Sequence, residues 1–206
     1  MGAAVVALSM VAAVFISNQR ERRTQLAIRK QTTTIMLDLT REMDRAAAAM
    51  VAFNSDGGLD LTGLEDRAAL DRRIELATAA QAAVTRALDR GEVAPQQLEG
   101  ALRGQRADLV AEAKQQLPEK LNWPQGREIF QTHARAYAAA RTHLEFLRRH
   151  HGHWRVDPVG LRVDWDSQQL QAEAERLHAH VTAAAAAQGK LSVDVAAATT
   201  QTPKRD

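Results

Sequence analysis

QLAIRKQTTTIMLDLTREMDRAAAAMVAF, Gln25–Phe53, is the stretch on which the fold turns. It contains no proline or glycine, and apolar residues recur at Met36, Leu39, Met43, Ala46, Met50 and Phe53. Steps that alternate three and four keep these positions on one side of a helix, because about 3.6 residues make a turn. Sustained over two heptads, the spacing is a coiled-coil seam. Met36, Leu39, Met43, Met50 and Phe53 are therefore expected to associate, with a second copy or partner protein, or inside the monomer. Asn54-Ser55-Asp56-Gly57-Gly58 then stops the helix.

Upstream, GAAVVALSMVAAVFIS (Gly2–Ser17) carries no charge. A bilayer span takes about 17–25 residues, and Met1, Asn18 and Gln19 extend this run to that length. A transmembrane anchor over residues 1–19 is preferred to two other readings. A cleaved signal peptide starts basic and ends in small residues, whereas this run ends directly in arginines. A buried helix that is apolar all round is rare outside membranes. Arg20, Arg22, Arg23, Arg29 and Lys30 follow and are expected to meet anionic headgroups. Lys and Arg stay on the cytoplasmic side, so the anchor is expected to be single-pass with the C-terminal body in the cytoplasm. The lipid bilayer is thus an expected partner.

Downstream, Thr62 and Glu65 form a capping-box pattern for a second helix. Its seam is Leu70, Ile74, Ala77, Val84 and Leu88, and Gly91 stands where a C-terminal cap belongs. A third helix opens at Pro95, carries Leu98, Leu102, Leu109, Ala113 and Leu117, and ends before Pro118. Gly100 and Gly104 soften it. Leu121–Gly126 reads as a loop in which Trp123 covers a bundle end. The fourth seam is Phe130, His133, Tyr137, Ala140, Leu144 and Leu147, and Gly152 is the stop. Alternation at Trp154, Val156, Leu161, Val163 and Trp165 around an Asp157–Gly160 turn predicts a small β-hairpin near 154–165. A last helix carries Leu170, Ala174, Leu177, Val181 and Ala184 up to Gly189, followed by a tail expected to be disordered.

The expected fold is all-α: an N-terminal transmembrane helix continues into an antiparallel helical bundle, with the hairpin appended. Its segments are an anchor at 1–19, a basic heptad helix at 20–53, a bundle domain at 62–151, a hairpin and last helix at 152–188, and a tail at 189–206. Composition agrees. Apolar residues are 45% and mostly alanine, while aromatics are only 4%, so the core must be thin and closely packed. Alanine, leucine, glutamate, glutamine and arginine are all good helix formers.

The chemistry-bearing residues are few. With no cysteine, disulfides, thiolate zinc sites, iron–sulfur clusters and cysteine nucleophiles are excluded. A net charge of +2 with one short basic cluster gives no nucleic-acid footprint, whatever the calculated pI of 9.3 suggests. His150, His151 and His153 are the candidate metal ligands. No pair in their helix has the i, i+4 spacing of half a zinc site, and a basic helix C-terminus accounts for RRHHG. The acids alternate with arginines as a solvated, salt-bridged face. No serine lies in a nucleophile elbow and no glycine-rich phosphate loop is present. No catalytic residue and no cofactor is implied.

The order of NQRERRTQLAIRK (residues 18–30), ELATAAQAAVTRALDRGEVAPQQLEGALRG (75–104) and RAYAAARTHLEFLRRHHG (135–152) resembles a group of small bacterial single-span membrane proteins carrying a helical domain of unknown function. That resemblance implies an inner-membrane anchor, a basic juxtamembrane helix and a compact set of helices; the group has no assigned activity. The function expected is a membrane-anchored interaction or scaffold module, not an enzyme. The alternative is an envelope-facing sensor or ligand-binding bundle.

Overall fold

The computed structural model describes residues 2–157 and 162–200, with side chains over 17–157 and 162–190. Helix α1 spans Gly2–Ser55, α2 Arg67–Ala101, α3 Ala107–Lys120, α4 Trp123–Arg149 and α5 Gln168–Thr200. Strands β1 (Trp154–Asp157) and β2 (Arg162–Trp165) lie between α4 and α5. The protein is predominantly helical, with one two-stranded antiparallel sheet. The chain forms two compact units, Met1–Arg41 with Asp89–Pro124, and Glu42–Leu88 with Gln125–Asp206. This division cuts across the expected single bundle at 62–151.

In the first unit, Ile35 of α1 packs with Ala94, Leu98 and Leu102 of α2 and Val110, Ala113 and Leu117 of α3. Asp38 meets Arg90 and Thr24 meets Gln105, so α1 and α2 run antiparallel here. Gly91 does not end α2, and Pro95 does not begin a new helix. Trp123 explains the first. Its indole ring fills the space where a Cβ on Gly91 would stand, so the glycine is needed as a slot. Pro95 removes the N–H that would bond the Gly91 carbonyl, yet the buried Ala94 and Leu98 hold the helix straight through. The break comes instead at 102–106, where Gly104 has φ +85. Pro118 is taken into the last turn of α3, and Trp123 opens α4 where a loop is expected.

In the second unit, α1 ends on a glycine pair, with the Gly58 N–H reaching back to the Phe53 carbonyl at 2.9 Å. Helix α2 is capped by Asp66, whose Oδ1 accepts from the Ala68 N–H at 2.9 Å, and not by Thr62. Thr62 is held by Asp60, and Glu65 is drawn away to the Val156 N–H at 2.7 Å. The fourth seam is buried as its spacing predicts, at Phe130, Tyr137, Ala140, Leu144 and Leu147. The hairpin forms with Trp154 opposite Trp165; its turn at 158–161 lies outside the described residues. Trp154 is buried and donates from Nε1 to the Leu147 carbonyl at 2.9 Å, which gives the hairpin its supporting surface. Gly189 does not stop α5, which continues to Thr200 through much of the expected tail. A single glycine costs a helix only about 1 kcal/mol, and five alanines, Ala183–Ala187, run up to it. Residues 201–206 of the tail lie outside the described residues.

Among the described residues no helix is long and apolar enough to cross a membrane. The expected anchor at 1–19 lies mostly outside the residues whose side chains are described, which begin at Ser17.

Gly91→Ala should drive a methyl group into the Trp123 ring. We expect a loss of about 1–3 kcal/mol, the usual scale of overpacking, read from urea midpoints. The loss should shrink in a Trp123→Leu background; an equal loss there would refute the slot.

Candidate functional site

Helix α1 sorts its charges between two faces. Over residues 20–41 its acids are Glu21 and Asp38, and both turn toward arginines of the same unit. Glu21 lies 3.3 Å from Arg106, and Asp38 lies 2.7 Å from Arg90. The acids thus sit on the side that holds the buried Thr24 and Ile35. Arg20, Arg22, Arg23, Arg29 and Lys30 are all exposed, and none has an acidic partner among the described residues. Arg22, Leu26, Arg29, Thr33 and Leu37 recur at steps of three and four, so they share one outward face. On it, Leu26 is 65% exposed and Leu37 55%.

The heptad seam divides. Leu39 and Phe53 are buried with Ala46, whereas Met36 and Met43 are 42% and 44% exposed and Met50 is half-buried. A straight helix drifts by about 20° per heptad against a strict seven-residue repeat. The chain therefore covers one edge of the seam, around Leu39 and Phe53, and leaves the methionine edge outward. Phe53 is engaged edge-on by Tyr137, with ring centroids 5.6 Å apart. Leu39 and Phe53 are consequently not available to a partner.

The histidine cluster separates into three environments. His150 packs on Phe146 with centroids 4.7 Å apart. His151 Nε2 meets the Glu65 carbonyl at 2.9 Å, and His153 Nδ1 meets Asp166 Oδ2 at 3.2 Å. The first turn of the hairpin draws these side chains apart. Among the described residues no group of three or more metal-ligating side chains could hold an ion. The acids expected on a solvated face are paired there, as Arg72–Asp56 at 2.9 Å and Arg148–Asp71 at 3.4 Å illustrate. Exposed pairs of this kind contribute about 0–1 kcal/mol.

One titratable site escapes sequence reading. His143, on α4, is buried and stands 5.7 Å, centroid to centroid, from His178 on α5. Burial, and secondarily the neighbouring His178, push its pKa down to about 4. His133 is also lowered by burial, and its Nδ1 lies 2.8 Å from Gln188 Nε2. No spacing within α4 or α5 marks the His143–His178 pair, since it joins two helices.

No family model, curated protein or solved structure matches the chain. The functional reading therefore rests on this chain's own geometry.

Because His143 holds its proton less tightly folded than unfolded, the unfolded chain binds more protons between pH 6.5 and about 4. This contribution to stability is fully present above pH 6.5 and is lost as pH falls through that window. The loss is about 3 kcal/mol. Urea titrations at pH 7 and pH 4 should show His143→Phe losing less stability than wild type by that amount; equal losses would contradict it.

Proposed function

We propose that the protein is a membrane-anchored helical interaction module without catalytic activity. In this reading residues 1–19 span the bilayer, and the basic turns of α1 that follow, with Arg20, Arg22, Arg23, Arg29 and Lys30, meet the anionic headgroups as the helix leaves the membrane. The observation that carries it is the charge partition on α1: Arg22, Arg23, Arg29 and Lys30 are exposed and unpaired beside exposed Leu26 and Leu37, while both acids point inward. Each base near an anionic surface is worth about 1 kcal/mol. The exposed Met36 and Met43, one heptad apart, would serve a second copy or a partner protein. The same bases favour a cytoplasmic body, consistent with the inner-membrane architecture that the sequence resemblance implies.

Amide exchange on the full chain in vesicles tests the surface contact. Residues 20–30 should exchange more slowly when the vesicles contain phosphatidylserine than when they are purely zwitterionic. Changing Arg22, Arg23, Arg29 and Lys30 to Gln should abolish the difference. No lipid dependence in the wild type would refute the contact.

Orientation has its own test. The chain has no cysteine, so a single Ser192→Cys reports on the side reached by α5. We expect protection from a membrane-impermeant maleimide until the cells are lysed; labelling of intact cells would place the body outside.

A further inference from the structure

The second unit contains a cavity of about 640 Å³ between the 59–61 loop, α4, β2 and α5. Small-molecule sites commonly span about 300–1,000 Å³. Its wall is largely apolar and includes Leu61, Leu147, Val163 and Ala174, with the Trp165 ring on one side. Trp165 is set in place by Phe146, 5.4 Å away, and by Trp154 across the hairpin. The loop is held by Arg73, a buried guanidinium that donates to the carbonyls of Asp60 and Thr62.

The charged groups of the lining are already matched. Asp164 has Arg162 at 3.0 Å, Glu175 accepts from Gln171 at 2.9 Å, and Asp60 accepts from Thr62 at 3.0 Å. Two imidazoles of the lining make no side-chain hydrogen bond among the described residues; His178 is open to water, and the buried one is His143. It is only 8% exposed, and among the described residues it makes no hydrogen bond. Its Nδ1 is sealed from solvent, which leaves Nε2 as the accessible nitrogen. Neutral imidazole carries one proton, and a sealed lone pair is the less costly orphan than a sealed N–H. We assign the proton to Nε2, where it is a hydrogen-bond donor without a partner.

We infer that this cavity is a binding site for an uncharged, flat ring compound bearing a hydrogen-bond-accepting oxygen. The ring lies against Trp165 and the oxygen accepts from His143 Nε2. An anion would find no free cation in the lining, because Arg162 is engaged and His143 is held neutral by its burial. An organic cation would gain little from Asp60, Asp164 and Glu175, which are exposed, so that water screens their charge. An aromatic ring gains from Trp165 beyond the area it buries, and its oxygen gives the unpartnered His143 Nε2 an acceptor.

The test is a titration of the full chain, in neutral detergent, with 2-naphthol, naphthalene and 2-naphthoate, observed through the tryptophan indole N–H resonances. With 2-naphthol, Trp165 should shift saturably while Trp123 stays in place. Naphthalene, lacking the oxygen, should bind roughly tenfold more weakly, and 2-naphthoate more weakly still. His143→Phe should reduce 2-naphthol affinity to that of naphthalene, and His143→Gln should restore part of it. Absence of a saturable Trp165 shift would overturn the site. Equal binding of naphthalene and 2-naphthol to the wild-type chain would overturn the role of His143, and that comparison needs no variant to fold.

Discussion

Helices in this protein meet through alanine. Ala46, Ala77, Ala80, Ala83, Ala87, Ala94 and Ala140 are all buried, several of them completely. Side chains this small let helix axes approach to the lower end of the usual 8–10 Å. They also bring little apolar area per residue, so tight fit has to replace bulk. The large rings fall in two groups: Phe130, Tyr137 and Phe146 are buried along α4, while Trp123 fills the gap above Gly91 and Trp154 and Trp165 sit on the hairpin.

The same economy of large side chains shapes α1. Its inward stripe, Thr24, Ile35, Leu39, Ala46 and Phe53, is narrow. Polar pairs complete it, with Glu21 and Asp38 meeting arginines from elsewhere in their unit. Because the acids are used inward, the bases face outward uncompensated, although the chain as a whole carries a net charge of only +2. A nearly neutral composition thus conceals a locally cationic surface. The surface arises from folding, by the direction in which each charge points, and no composition count contains it.

Much of the architecture was legible because it depends on local periodicity. The α4 seam from Phe130 to Leu147 and the pairing of Trp154 with Trp165 follow from spacing alone. Two of the misreadings share one cause, a partner remote in sequence. Gly91 has the local signature of a cap, and only Trp123 reveals it as a slot. Thr62 and Glu65 have the signature of a capping box, but Asp60 takes the threonine and the hairpin takes the glutamate. The exposed bases of α1 were readable as a cluster, while their lack of partners was not. His143 was readable as a histidine on α4, but its burial, its neighbour His178 and its unmet hydrogen bond belong to the assembled unit.

The two units are interleaved along the chain: the first needs residues up to 41 and then 89–124, the second needs 42–88 and then everything from 125 onward. During synthesis this ordering imposes a wait. The early half of α1 emerges from the ribosome long before Leu98 and Leu117, the residues that cover Ile35, have been made. The segment 42–88 must likewise remain without its α4 partners until the first unit is complete. Neither unit can close while the other is wholly unmade, so nascent chains carry an uncovered apolar stripe through most of translation. The surface that covers the start of α1 is thus supplied late, well after the stripe it covers has been made.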